Sequence, residues 1–266
     1  MFICCFFALG FNLYAESIFV ADGNAEPTEL AFTLDLRREV VISTLSLGVF
    51  FGSFLVPQNE GVPNLDKNNV NAIDRGLMFN YWNFNIVTTI LRPVMGAMPL
   101  IVPLVMMEWD FRNDFPIWFT YGLMYAQAVG FTYGVRRGIG RAVYRQRPTY
   151  YFAGAVDRVR PADSFPSGTA SMAFMPATLL SVTFAAQFPD SPWRIPVIVG
   201  SHTLAATVGA ARIVTGHHFL TDVLAGAAIG SFFGWLIPTL HRRTADDESK
   251  LSFSFTGNGA LLSVRL

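Results

Sequence analysis

Hydrophobic and polar positions alternate in long blocks along this chain. Val40–Val56 is uncharged and just long enough to cross a bilayer. Further apolar runs follow at Ile86–Met107, Ile117–Val135, Ser167–Phe188, Ile195–Val214 and Phe219–Leu240, predicting about six spans. Pro57–Asn69 reads as a loop, and Val70–Asn85 as an interfacial stretch anchored by Tyr81 and Trp82. Arg92 precedes Pro93 inside the second run, and is expected to snorkel to the membrane edge. After Asp247 the pattern changes. Leu251–Phe255 alternates, Thr256–Gly259 reads as a turn, and Ala260–Leu266 as a second strand, which together make a small hairpin.

The N-terminus carries a short apolar core, Phe2–Phe11, followed by Leu13-Tyr14-Ala15-Glu16. This is the pattern of a signal peptide or apolar anchor, without the usual basic residues before the core. The chain thus divides into 1–15 as leader, 16–39 as a polar segment, 40–243 as the membrane domain and 244–266 as a tail.

Composition agrees with a polytopic membrane protein. Hydrophobic residues make up 52% and charged ones 14%, and the mean hydropathy is +0.39. A formal net charge of zero argues against a nucleic-acid surface. Lysine occurs only at 67 and 250, so the cations are almost all arginine, which suits bidentate oxyanion binding. The two cysteines, Cys4 and Cys5, are adjacent and offer neither a disulfide framework nor a metal site. No cofactor or metal is expected.

Three stretches carry chemistry. Arg212 lies near the end of the fifth run, a break at Thr215–His218 follows, and His218 and Asp222 then share a helical face one turn apart. An imidazole, a carboxylate and a guanidinium at a membrane edge fit a histidine nucleophile, its orienting acid and an anion-binding cation. Arg147 precedes Pro148, which biases it toward an extended conformation just outside the third run. Ser167 and Gly168 open the fourth run, where free backbone N–H groups suit a phosphate. The loops between runs three and four and between five and six are separated by two spans, so all three stretches open on one side of the membrane. The seven arginines between Arg136 and Phe165 lie there too.

These motifs resemble those of the type 2 phosphatidic acid phosphatases, which share a fold with the vanadium haloperoxidases. The family pattern is Lys, six residues, Arg-Pro; then Pro-Ser-Gly-His; then Ser-Arg, five residues, His, three residues, Asp. Matching positions are Arg147-Pro148, Pro166-Ser167-Gly168 and Arg212, His218 and Asp222. The resemblance implies an all-α bundle, and a membrane phosphatase acting on a lipid phosphate or pyrophosphate through a phosphohistidine. His218 would attack phosphorus, Asp222 would hold its other ring nitrogen, and Arg147, Arg212, Ser167 and Gly168 would bind the oxygens. No metal is implied.

The chain departs from the family at three positions. The lysine falls on Gly140, with Arg141 or Arg145 as replacements, and the third-motif serine is Ala211. Thr169 stands where the family has the histidine that protonates the leaving group. General acid catalysis contributes roughly 10²–10⁴-fold, so a phosphoanhydride, whose leaving group needs less help, becomes the expected substrate. His217 and Asp163 are possible replacement acids. His202 lies ten residues before Arg212 and is expected to be structural. A phosphate-binding pseudoenzyme and a lipid phosphotransferase are the alternatives. The resemblance implies a bacterial inner-membrane protein with its site facing the periplasm, as in the family's bacterial members, and Arg37-Arg38 before the first span agrees by predicting a cytoplasmic flank. A cleaved leader would predict the reverse.

Overall fold

The computed structural model describes residues 29–61, 64–80, 85–152, 162–243, 251–256 and 259–264. The leader and the aromatic pair Tyr81 and Trp82 lie outside them.

Helix α1 spans Leu36–Leu55, beginning one turn earlier than the uncharged run. Asp35 caps it by accepting the Arg38 amide. Glu39 is tolerated in its first turn because its carboxylate meets His241 Nε2 at 2.8 Å and Gln127 Nε2 at 3.0 Å. A short helix α2, Ala72–Gly76, lies in the stretch read as interfacial. Helix α3, Asn85–Ala97, passes through a 3₁₀ turn at Met98–Leu100 into α4, Ile101–Met106, with Pro99 and Pro103 at the break. Arg92 is exposed on α3.

Helix α5 runs from Phe111 to Ala142, well beyond the predicted third run. Arg136, Arg137 and Arg141 are therefore helical rather than part of a loop. Helices α6 (Gly168–Gln187), α7 (Arg194–Val214) and α8 (Leu220–Leu240) match the last three predicted runs. Five segments have the length and apolarity to cross a membrane: α1, the α3–α4 unit from Thr88, α6, α7 and α8. Helix α5 is not among them. Its middle carries buried Thr120, Gln127 and Thr132, which face neighbouring helices.

Helix α6 is the most enclosed, packed against α8, α7 and α5. Gly226, Gly230 and Gly234 make a stripe on α8 against Ser167, Ser171 and Met175 of α6. A Cβ at any of the three would overlap an α6 backbone oxygen, so the stripe sets this close approach. Strands β1 (Leu251–Thr256) and β2 (Gly259–Val264) pair antiparallel, with Leu251 opposite Val264 and Thr256 opposite Gly259.

Candidate active site

The C-terminal ends of α5 and α7 and the N-terminal ends of α6 and α8 meet at one end of the bundle. Backbone hydrogen bonds lock the three motif stretches together. Ser164 N–H donates to Arg145 O at 3.1 Å, Ser167 N–H to Asp222 O at 2.9 Å, and Thr149 N–H to Gly216 O at 3.2 Å. Gly216 has φ +66°, a conformation costly for any side chain, and lets the chain turn sharply ahead of the two histidines.

His218 is buried, with 3% of its side chain exposed. Its Nδ1 lies 2.8 Å from the Ser164 carbonyl oxygen. A carbonyl only accepts, so Nδ1 carries the proton and Nε2 keeps its lone pair. Asp222 Oδ2 is 3.8 Å from Nδ1, beyond hydrogen-bond reach. The carboxylate does not hold the ring directly as the family pattern implies. Its Oδ2 accepts the Ser164 hydroxyl at 2.6 Å and the Phe219 amide at 2.9 Å, the latter capping the start of α8. Ser164 is thus the link: its hydroxyl meets the acid and its carbonyl meets the imidazole. Burial lowers the His218 pKa, and the repelling charges of Arg212 and Arg147 add to it. The neighbouring Asp222 opposes but does not cancel this shift.

Ser167 caps α6, its Oγ accepting the Ala170 amide at 3.3 Å, and Gly168 opens the helix. The Arg136 guanidinium packs against Gly168, where a Cβ would collide with it. Arg136 lies within electrostatic reach of Asp163 and Arg147, and Arg212 within reach of Arg147 and Arg92. The buried Nε atoms of Arg136 and Arg212 have no hydrogen-bond partner among the described residues. Arg147 donates through Nε and Nη2 to Asp163 Oδ1, at 3.1 and 2.9 Å.

Both suggested replacements for the lysine have partners elsewhere. Arg141 donates through Nε to the Val56 carbonyl, closing the end of α1. Arg145 is committed to two carboxylates, Asp74 and Asp222, and lies over the Phe219 ring. Arg136 is one turn before Gly140 on the same face of α5. That i−4 relation was readable in the sequence. The Ser164 carbonyl and Asp74 gave no such signal.

Of the possible acids, Asp163 is engaged by Arg147. His217 bonds Thr215 Oγ1 through Nδ1 at 2.8 Å. Burial and the charges of Arg212 and Arg147 push its pKa down to about 4, the wrong direction for a general acid. His202 bonds the Ile198 carbonyl at 2.9 Å and sits 3.3 Å from Thr178 Oγ1, a structural place between α6 and α7.

Among the described residues no cluster of His, Cys, Asp and Glu is arranged to hold a metal ion. What the site gathers is an imidazole with a free lone pair, a helix N-terminus and several guanidiniums. Such a set attracts a multiply charged oxyanion and places a nitrogen nucleophile beside it.

Over 83 residues the chain is 40% identical to a lipid A 1-phosphatase of Porphyromonas gingivalis, a match covering 30% of this chain and 17% of that protein. The chain therefore spans about a sixth of the length of this curated relative. A crystal structure of a transmembrane PAP2 type phosphatidylglycerolphosphate phosphatase from Bacillus subtilis aligns at 21% identity. That alignment covers 76% of this chain and 94% of the other, with a TM-score of 0.47. The PAP2 superfamily model matches residues 118–246, from the body of α5 to just past α8 and thus across all three motif stretches. Residues 118–246, just under half of the chain, thus resemble the PAP2 superfamily.

Proposed function

We propose that this protein is a membrane phosphatase that removes phosphate from a lipid phosphate or pyrophosphate through a phosphohistidine on His218. The observation that carries this reading is the buried His218 ring, its Nδ1–H held by Ser164 O and its Nε2 left free. Nε2 attacks phosphorus, and the bond to the leaving oxygen breaks. Water then attacks the phosphohistidine, releasing inorganic phosphate and restoring the imidazole. Arg136, Arg147, Arg212, Ser167 and the Gly168 N–H bind the non-bridging oxygens and stabilise the charge of the transition state.

Thr169 cannot protonate an alkoxide near neutral pH, and His217 is held neutral. A diphosphate ester needs no such proton, because phosphate leaves readily by itself. The favoured substrate is therefore a lipid diphosphate. The relatives' names point to lipid A phosphates and phosphatidylglycerolphosphate as further candidates. The site faces the periplasm of a bacterial inner membrane in this reading, and cysteine labelling of the 153–161 stretch in intact cells tests that.

Thr169 also favours a second reading, a pseudoenzyme that binds lipid phosphate without turnover; transfer of the phosphate to an acceptor lipid is a third. Purified protein is to be given lipid mono- and diphosphates, with and without an acceptor lipid, beside His218→Ala and Thr169→His. The expected result is phosphate release that prefers diphosphates and vanishes in His218→Ala. Thr169→His should raise monoester turnover by about 10²-fold. Equal or better turnover of monoesters by the wild type overturns the diphosphate preference. Absence of a trapped phosphohistidine overturns the covalent route.

A further inference from the structure

Asp74 lies on α2, in the stretch between the first and second spans, and hydrolysis as described gives it no task. Its side chain is fully buried. Oδ1 accepts the Thr221 amide at 3.0 Å. Oδ2 accepts the Thr221 hydroxyl at 2.6 Å, the Asn71 side-chain amide at 2.6 Å and a guanidinium N–H of Arg145. Burial pushes this carboxyl up, but the Thr221, Asn71 and Arg145 bonds outweigh it and hold it below its ordinary value. Asp74 is thus a buried anion.

Its partners lead to the nucleophile. Thr221 precedes Asp222 in the first turn of α8, so Asp74 satisfies a free N–H of that turn from outside the helix. Arg145 places Nη2 on Asp74 and Nη1 on Asp222. Asp222 takes the Ser164 hydroxyl, and the Ser164 carbonyl takes His218. The chain of contacts from Asp74 to the imidazole is unbroken. A second contact lies nearby: a Cβ on Gly216 would stand 2.5 Å from the Phe79 carbonyl oxygen. The stretch 71–80 therefore grips both sides of the turn that bears His218.

We propose that Asp74 is a positioning residue of the active site, acting through Arg145 and Thr221 to fix Asp222 and thereby His218. The proposal rests on His218 being the group that attacks phosphorus. Two carboxylates share one guanidinium, so Arg145 is balanced between them. Without Asp74 it would be drawn onto Asp222 alone, the carboxylate that Ser164 and Phe219 also need.

The test is Asp74→Asn in the full chain in detergent. Asparagine keeps the volume and an acceptor for the Thr221 amide but loses the charge. Expected is a fall in kcat of about tenfold or more with KM within about twofold, since small misplacements of a reacting group act on the rate. A mere structural pin would change thermal unfolding and leave kcat per folded site intact. Orthovanadate, which adopts the five-coordinate geometry of phosphorus in transfer, gives a readout without turnover. Asp74→Asn is expected to weaken vanadate about tenfold and inorganic phosphate by less than about twofold. Wild-type kcat and vanadate affinity in the variant overturn the proposal, as does an equal loss of both anions. If Asp74→Asn does not fold, Thr221→Val removes one donor only, and wild-type kcat and vanadate affinity there overturn it equally. A wild type that releases no phosphate yet loses vanadate selectively on Asp74→Asn sinks the hydrolytic reading and leaves this one standing. A wild type that binds neither anion sinks both.

Discussion

Removing the Ser164 hydroxyl asks whether Asp222 reaches the imidazole directly or through Ser164. In Ser164→Ala the carbonyl that holds His218 Nδ1 remains, and the 2.6 Å bond to Asp222 Oδ2 is lost. Ser164 and Asp222 are both fully buried, so water does not replace that bond. A hydrogen bond to a charged group contributes about 1.5–3 kcal/mol. If all of it goes into fixing the 164 backbone and the ring, kcat falls by about 10- to 150-fold, at roughly 1.4 kcal/mol per tenfold. KM should hardly move, because the arginines and the α6 N-terminus are untouched. Asp222→Asn breaks more: it also loses the charge facing Arg145 Nη1 and sets an amide against donor groups. It should cost about 3–5 kcal/mol of stability as well as rate, as broken buried pairs do. Steady-state phosphate release and thermal unfolding in detergent measure both variants. Ser164→Ala within twofold of wild type, beside an Asp222→Asn thousands-fold slower, refutes the indirect route. It would mean that the 3.8 Å gap closes to a direct bond when substrate is bound.

Two further outcomes follow from the same geometry. Arg136→Met should lower kcat/KM by about 10²-fold, as loss of one transition-state donor does, whereas Arg141→Met, at the end of α1, should act mainly on stability; kinetics and melting of the pair check this, and equal kinetic losses refute it. His217, at about 4 when folded against 6.5 in the free side chain, refuses a proton that the unfolded chain takes up. The folded state binds fewer protons between those values, so stability should be intact above about pH 6.5 and decline as pH falls toward 4. Unfolding midpoints across that range measure the decline, and His217→Gln should flatten part of it; an unchanged slope refutes the assignment.

The apolar runs mark the helix bodies, buried α6 as well as exposed α7, because a spanning helix needs an uncharged stretch. They do not mark the ends of α1 and α5, where charged residues continue the helix: Glu39 at the start of α1 and the arginines at the end of α5. Glu39 is nonetheless enclosed by His241 and Gln127, and Arg141 by the end of α1. The motif spacing located Arg147, Ser167, Gly168, Arg212, His218 and Asp222 at one end of the bundle. What spacing does not carry is the backbone: the acceptor for His218 is a carbonyl, which any residue at 164 would supply. Nor does it carry Asp74, whose partner Thr221 is 147 positions away.

The departures from the family pattern are then of two physical kinds. Gly140 is a vacancy that the fold refills, since Arg136 reaches Gly168 from one turn earlier on the same helix face. Positive charge near an oxyanion is tolerant of origin: a guanidinium that arrives from a neighbouring turn still supplies the field and the donors. Thr169 is of the other kind. Proton delivery requires a titratable group at one place, with its pKa near the working pH. His217 is held neutral by burial and by the arginines that would bind phosphate, and Asp163 is occupied by Arg147. The cationic pocket thus works against a general acid inside it. Under the proposed reading, a substrate whose leaving group is already a good one is the one such a pocket would turn over best, and a substrate that needs its leaving oxygen protonated would be turned over poorly.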